Sequence, residues 1–384
     1  MELTKCKLGE LITQRREKND GSDLPICGVS KDGLIPPKQK DADTSIYNVF
    51  YRDDFIFNPA RMELNSIAIN DMYDRAICSS LYEVFYVHRT DLLLPHYLEL
   101  IIRQKWFTRY CEFLGQGSAR EYCRFGNISE IEIEFPPIEE QQKIVEYNTA
   151  IENRIALKQK INDNLVAVGT ASIQKNVGRG ALINLTEAEM DSLIFPEDFK
   201  IKTVSEFCAE TKSGSTPSRT NNEYWENGTI SWVKSGEVHN NITLQTEEYI
   251  TSLGLSESST KLLPKATVLM AMYGVTAGEV GYLAIEATTN QAICGMICRS
   301  KAEAAYLYFS LIQSQAAISR LSNGGAQDNL SKNFIDNIKI VVPPSEFIEK
   351  LNLAAIVEQM TLNTKEITLL EELQATVLAQ LSSR

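Results

Sequence analysis

The sequence predicts an α+β chain built as a tandem repeat, with two mixed α/β globular units separated by an antiparallel two-helix coiled coil. Three observations predict it. First, residues 117–137 realign on residues 324–344 after a shift of 207, and seven of the 21 positions are identical. These are Gly117/Gly324, Ala119/Ala326, Ile128/Ile335, Ile131/Ile338, Ile133/Ile340 and both prolines of the Pro-Pro steps at 136–137 and 343–344. Second, each Pro-Pro step leads into a long stretch with apolar residues at steps of four and three. Third, looser upstream matches keep the same order: Lys7-Leu-Gly-Glu-Leu11 with Thr203-Val-Ser-Glu-Phe207, and Ala76-Ile77-Cys78 with Ala292-Ile293-Cys294.

The predicted order is a globular unit over 1–136, a helix over 137–172, a linker over 173–195, a second globular unit over 196–343 and a second helix over 344–384. Each globular unit ends in a strand. Ile131, Ile133 and Phe135 alternate with Glu130, Glu132 and Glu134, and Ile338, Ile340 and Val342 repeat that period of two. Pro-Pro cannot continue a sheet ladder, so the strand stops there. Proline suits the first helical position, and Glu139 and Glu140 suit the positive helix end, so a helix begins near Ile138. Its seam is Ile144, Asn148, Ile151, Ile155, Lys158, Asn162, Leu165 and Val168. The second seam is Ile356, Met360, Asn363, Ile367, Leu370, Gln374, Val377 and Leu381. Polar seam residues fix register at some loss of stability. Leu351, Leu362, Leu369, Leu373 and Leu378 make the second helix too broadly apolar for one partner helix, which leaves surface for another protein. The second unit follows the first helix and runs straight into the second, which favours antiparallel pairing. Between them helices of ~30 residues would span ~45 Å.

With 384 residues, 43% hydrophobic and 23% charged, the chain has an ordinary globular composition. No apolar run reaches bilayer length, and the N-terminal segment has no apolar signal core. The eight cysteines form no C-x-x-C pair, and the nearest, Cys294 and Cys298, have no histidine beside them. Reduced thiols in a cytoplasmic protein are the expectation, with no metal site. The net charge of −12 counts against simple electrostatic binding to nucleic acid. Splitting it finds no basic tail: residues 1–135 carry 17 basic and 21 acidic groups, and residues 176–342 carry 13 and 18. Any DNA contact must use local clusters on an acidic background or borrow positive surface from a partner.

The chain resembles the specificity (S) subunit of type I restriction-modification systems over nearly its whole length. The resemblance rests on Gly214-Ser-Thr-Pro217, Tyr224-Trp225…Gly228-Thr-Ile-Ser-Trp232, Ser258-Ser-Thr-Lys-Leu-Leu-Pro264, Gly274-Val-Thr-Ala-Gly278, Asn290-Gln-Ala and Gly325-Ala-Gln-Asp-Asn-Leu-Ser331, together with the two Pro-Pro-helix units. The first unit departs from the pattern: it lacks the Gly-x-Thr-Pro turn and carries Gly117-Ser-Ala-Arg120 in place of Gly-Ala-Gln. The resemblance implies that both units are target recognition domains, each reading one half of a split double-stranded DNA site. It implies helices that set the spacing and dock two methyltransferase (M) subunits, with restriction (R) subunits joining through them. S-adenosylmethionine, ATP and magnesium are then expected on those partners and no cofactor on this chain. A methylation-only or type II-like bipartite system would need a similar reader.

Candidate DNA contacts in the second unit centre on "SGSTPSRTNNEYWENG": Ser215, Thr216, Ser218, Arg219, Asn221 and Trp225. Arginine pairs with guanine and asparagine with adenine, each discriminating by ~1–3 kcal/mol. Lys234, Ser235, Lys261, Tyr273 and Asn290 are further candidates. In the first unit the candidates are Lys31, Arg61, Arg75, Arg120 and Arg124. Methyltransferase docking falls to Ile144, Ile151, Ile155, Leu362, Leu369 and Leu373.

The rival class is a DNA methyltransferase acting alone. Phe113-Leu-Gly115-Gln-Gly117 fits a cofactor-loop pattern, but it follows an amphipathic stretch (98–109) rather than a strand. Phe135-Pro-Pro-Ile138 and Val342-Pro-Pro-Ser345 lack the polar residue before and the aromatic after that a base-holding motif needs. No P-loop is present, and His88, His96 and His239 stand apart from nucleophile motifs. A pure coiled-coil scaffold explains the helices but not two large globular units.

Overall fold

The computed structural model describes residues 3–31, 33–37, 43–115, 122–183, 185, 189, 193–239, 242–322 and 329–382. The chain divides into two compact units, one formed by Met1–Arg154 with Leu370–Arg384 and the other by Ile155–Leu369.

In the first unit β1 (Thr4–Lys7) pairs antiparallel with β10 (Glu132–Phe135). A four-stranded antiparallel sheet has the order β2 (Ile12–Arg15), β9 (Glu83–Val87), β6 (Phe55–Phe57), β7 (Ile67–Ile69). A second sheet has the order β4 (Gly33–Ile35), β3 (Ile26–Ser30), β8 (Arg75–Cys78), β5 (Asn48–Tyr51), with β3 and β8 parallel. Helices α1 (Pro95–Ile102), α2 (Lys105–Gly115) and α3 (Phe125–Ser129) close the core, where Phe55 stacks on Phe85 at 5.0 Å and Phe107 is fully buried. The expected single amphipathic helix over 98–109 is therefore broken at Arg103 and Gln104. Gln104 turns inward, and its Nε2 donates to the Leu378 carbonyl at 3.0 Å.

The second unit repeats the topology. Strand β21 (Lys339–Val342) lies between β11 (Ala181–Leu182) and β12 (Lys200–Thr203). The main sheet has the order β13 (Glu210–Ser213), β20 (Ile293–Ile297), β17 (Thr267–Ala271), β18 (Val280–Leu283), β15 (Ile242–Thr243). Its first four strands connect as β2, β9, β6 and β7 do. The other sheet has the order β16 (Glu248–Ile250), β14 (Ile230–Val233), β19 (Thr288–Thr289), with β14 and β19 parallel. Helices α5 (Val204–Phe207) and α6 (Ser252–Ser256) precede α7 (Lys301–Ser322), whose Tyr306, Tyr308 and Phe309 are fully buried. A short α8 (Lys332–Asp336) leads back to β21.

The repeat holds to the level of single hydrogen bonds. Leu8 N–H donates to the Ile131 carbonyl at 2.8 Å, and Val204 N–H to the Ile338 carbonyl at 2.9 Å. The match of Lys7–Leu11 with Thr203–Phe207 is thus structural. The match of Ala76–Cys78 with Ala292–Cys294 is not. Strand β8 pairs Cys27 with Cys78 in parallel, and its counterpart pairs Val233 with Thr289 in β19, not in β20. The alanine-isoleucine-cysteine likeness joins two strands of different sheets.

After each Pro-Pro step the expected helix starts. Helix α4 (Ile138–Asn176) runs without a break, whereas the second stretch splits into α9 (Ser345–Lys350) and α10 (Leu353–Ser382). Asn352 adopts φ 54°, a left-handed stop that asparagine tolerates. In the second unit Lys158 pairs with Glu366 at 2.7 Å, and Asn162 meets the Asn363 amide at 2.9 Å, so the helices run antiparallel there. In the first unit Gln374 Nε2 donates to Asn148 Oδ1 at 3.0 Å. The polar seam positions therefore bond to each other. Val168 leaves the seam and is 55% exposed. The helix face turns at Gly169, where a Cβ would lie 2.3 Å from the Phe309 ring, and Ile173 then enters the second core. The linker is partly structured too, since β11 adds to the edge of β21.

Gln141 locks the first Pro-Pro joint. Its side chain is fully buried; Oε1 accepts from Leu94 N–H at 2.9 Å, and Nε2 donates to the Leu92 and Pro136 carbonyls at 2.7 and 2.8 Å. Gln141→Ala strands three buried backbone groups, and we expect a loss of about 3 kcal/mol, read by thermal melting against the wild type.

Candidate nucleic-acid interface

In the second unit the loops that follow β13, β14, β17 and β19 leave the sheets at one end. Register places them together: Ser213 faces Cys294, Ala271 faces Ile293, and Val233 faces Thr289. Ser215, Thr216, Lys234, Ser235, Tyr273 and Asn290 lie on these loops. They are tied to one another: Ser215 N–H donates to the Thr289 carbonyl at 2.9 Å, Asn290 N–H to the Val233 carbonyl at 2.9 Å, and Thr216 Oγ1 to Gln291 Oε1 at 2.5 Å. The Ser215 carbonyl accepts from Trp232 Nε1 at 3.1 Å and from Thr260 Oγ1 at 3.0 Å.

The loop carrying Ser218, Arg219 and Asn221 is ordered by two tryptophans. Trp225 and Trp232 meet edge to face at 5.0 Å, and Trp225 Nε1 donates to the Ser218 carbonyl at 3.0 Å. The Arg219 guanidinium lies 3.7 Å from the Trp225 ring centre and 4.8 Å from that of Trp232. Arg219 also pairs with Glu248, whose carboxyl it holds below the usual range, first through that hydrogen bond. Lys234 reaches Glu247 at 2.5 Å and Glu248 at 3.3 Å, and its pKa is raised, first by the Glu247 bond. Glu248 is the residue that sequence reasoning missed. It sits opposite Trp232 in the β14–β16 register, and nothing in "TEEYI" marks it. Asn221 is occupied as a cap on Glu223 N–H at 3.2 Å, while Lys261 is exposed on the loop before β17. Tyr273 is 40% exposed.

In the first unit Lys31 and Arg61 line an open cavity of about 1260 Å³ at the corresponding strand ends, along with Asn58, Ser79, Leu81 and Tyr82. The Arg61 guanidinium is exposed and makes no hydrogen bond or ion pair with a described residue. Arg75 opens β8 and pairs with Glu17 and Asp20, each at 3.5 Å, and Arg124 pairs with Glu83 at 3.1 Å. The structure therefore groups Lys31 with Arg61 but not with Arg75. Arg120 lies outside the described residues.

A family profile described as "Type I restriction modification DNA specificity domain" matches residues 6–167 and 196–375. The chain belongs to this family. The specificity chain is 22% identical over 357 residues to the type I restriction enzyme HindI specificity subunit of Haemophilus influenzae, covering 76% of this chain and 77% of that one. It is 26% identical over 200 residues to the EcoR124I/EcoR124II specificity subunit of Escherichia coli, covering 51% and 46%. In fold it is similar to the crystal structure of a type I restriction-modification S subunit from M. genitalium, with TM-score 0.58, 14% identity, and 99% and 96% of the two chains covered.

The methyltransferase-like patterns take other places in the specificity chain. Phe113 and Gly115 end helix α2, and both Pro-Pro steps join a strand to a helix. Cys294 is buried on β20, where burial pushes its thiol up to about 12. Among the described residues no group of His, Cys, Asp or Glu is placed to hold a metal, and no helix is long and apolar enough to cross a membrane. Of the candidate docking residues, Ile144 packs against the first core, Ile151 and Ile155 are half-buried, and Leu362, Leu369 and Leu373 are 56%, 56% and 50% exposed.

Proposed function

We propose that each unit of this specificity chain reads one half of a bipartite duplex DNA site. The observation that carries this is the convergence of Ser215, Thr216, Lys234, Ser235, Tyr273 and Asn290 at one end of the paired sheets, repeated in the first unit by Lys31 and Arg61. Hydroxyls, amides and stacked arginine supply base and phosphate contacts there. The helices set the spacing, and the exposed leucines of α10 dock two methyltransferase subunits, through which restriction subunits join. In this reading the specificity chain performs no chemistry and holds no cofactor. S-adenosylmethionine, ATP and magnesium belong to those partners, and the complex works in the cytoplasm. The individual base-reading roles of Arg219, Asn221, Trp225, Lys261, Arg75, Arg120 and Arg124 are part of the same proposal.

Glu248 tests the electrostatics. It pairs with Arg219 and shares Lys234 with Glu247, so little cationic charge is offered to non-specific DNA. Glu248→Gln frees Arg219 and leaves Lys234 on Glu247. In the reconstituted complex, non-specific retention should strengthen, and the slope of log K against log salt should steepen by about 1 unit. An unchanged slope would remove Arg219 from the interface.

A further inference from the structure

The connections β6–β7 and β17–β18 occupy the same place in the two units and carry an aliphatic side chain that the DNA reading above has not used. Val275 is fully exposed on the turn after β17, and Leu64 is 60% exposed on the turn after β6. Both turns are held by the same pair of ties. Thr276 Oγ1 donates to the Ser235 carbonyl at 3.3 Å, and Ser66 Oγ to the Val29 carbonyl at 3.1 Å. Ser235 and Val29 each stand two residues beyond the parallel-paired Val233 and Cys27. On the other side, Leu330 N–H donates to the Met272 carbonyl at 2.8 Å, and Cys123 N–H to the Pro59 carbonyl at 3.0 Å. Leu330 and Cys123 are themselves repeat partners at the 207-residue shift. Two diverged sequences thus keep one scaffold that presents an aliphatic tip.

The turns are not loose. Ala277 N–H bonds the Gly274 carbonyl at 3.1 Å, Gly278 N–H the Ala271 carbonyl at 2.9 Å, and Asn65 N–H the Met62 carbonyl at 2.9 Å. Each tip stands beside polar reading groups: Tyr273 and Ser235 in one unit, Arg61 in the other. A protein partner would need a broad apolar patch. Val275 is a single rigid aliphatic among polar neighbours, and Leu64 stands on its cavity rim beside exposed Leu81; an aliphatic side chain of this size fits the gap between two base pairs, the slot filled by apolar wedges in DNA-bending proteins.

We propose that Val275 and Leu64 are wedges, one per unit, each entering a base step of its half-site and partly unstacking it. This rests on the DNA reading above. Unstacking would soften the duplex beside the bases a partner enzyme must reach, since base-modifying enzymes extrude their target.

The test uses the complete complex and a duplex carrying the two-part motif mapped from modified host DNA, with 2-aminopurine substituted singly along each half. Wild type should raise the fluorescence at one step in each half. Val275→Ala should abolish the rise in one half only and Leu64→Ala in the other, each weakening retention by about tenfold. Val275→Met should keep the rise. Both tips are exposed, so these variants leave the cores intact. Unchanged fluorescence in Val275→Ala and Leu64→Ala, with specific retention preserved, overturns the wedge alone. A loss reproduced by replacing one thymine with uracil, without any fluorescence change, also overturns it in favour of a methyl contact. Failure of the wild-type complex to prefer the mapped duplex overturns the DNA reading itself.

Discussion

Gly214→Ala is expected to erase the reading of one half-site while leaving the other intact. Gly214 follows β13, and its backbone passes so close to the loop after β19 that a Cβ would lie 2.1 Å from the Asn290 carbonyl oxygen and 2.4 Å from that of Thr289. These are backbone atoms and cannot swing aside as a side chain could. The two loops must part, and the Ser215–Thr289 hydrogen bond breaks with them. Ser215 is also where Trp232 and Thr260 anchor, so the platform under Arg219 loosens too. Overpacking of this kind costs about 1 to 3 kcal/mol locally. The first unit shares none of these contacts. Specific retention of a duplex mutated in the second unit's half should become indistinguishable from retention of the intact duplex, while mutations in the other half still weaken binding. Full discrimination in both halves would show that the loops after β13 and β19 do not read DNA.

Asp54→Ala should produce the largest loss of stability. The Asp54 side chain is 2% exposed; it accepts from Arg15 Nε at 2.6 Å, from Arg15 Nη2 at 3.0 Å and from Tyr51 N–H at 2.7 Å. Arg15 lies between the rings of Tyr51 and Tyr86, at 4.7 and 4.6 Å. Removing the carboxylate leaves a guanidinium half-buried without its counter-charge and a backbone N–H unpaired. Breaking one side of a buried pair costs about 3 to 5 kcal/mol. Burial pushes the Asp54 carboxyl above its usual range, and Arg15 opposes this only in part. A raised folded pKa means that this group favours the folded state more as pH falls through that value. Glu248, held low by Arg219, behaves oppositely: its contribution is lost as pH falls through its folded pKa. Thermal melts from neutral into the acid carboxylate range should show Asp54→Asn with the steeper acid loss of stability relative to wild type, and Glu248→Gln with the shallower one.

What the sequence made legible was local and repeated. A period of two ending in Pro-Pro, then a period near 3.5, specifies a strand, a stop and a helix. The structure places β10, β21 and the start of α4 where those patterns predict. What it hid were contacts between residues distant in the chain. Glu248 compensates Arg219 from 29 residues away, and no local pattern announces a cross-sheet partner. Val168 keeps the seam spacing, yet the helix turns because Gly169 lets Phe309 approach. Asn352 interrupts a stretch whose apolar spacing continues past it. The likeness of Ala76–Cys78 to Ala292–Cys294 paired strands of different sheets, since short apolar strands carry too little information to fix their partner. In the second unit the structure brings Ser215, Thr216, Lys234, Ser235, Tyr273 and Asn290, all chosen by residue type, to one end of the sheets. Residue type alone could not separate Arg61, whose guanidinium has no partner among the described residues, from Arg75, which faces Glu17 and Asp20.

Sequencing of modified adenines in host DNA tests the central claim most directly, comparing cells that carry this chain, lack it, or carry its Gly214→Ala variant. Two readers on one chain predict an interrupted two-part motif that vanishes when the gene is deleted and loses only one of its halves in the variant. Persistence of the intact motif in the deletion strain, or a single uninterrupted motif that depends on this gene, would contradict it.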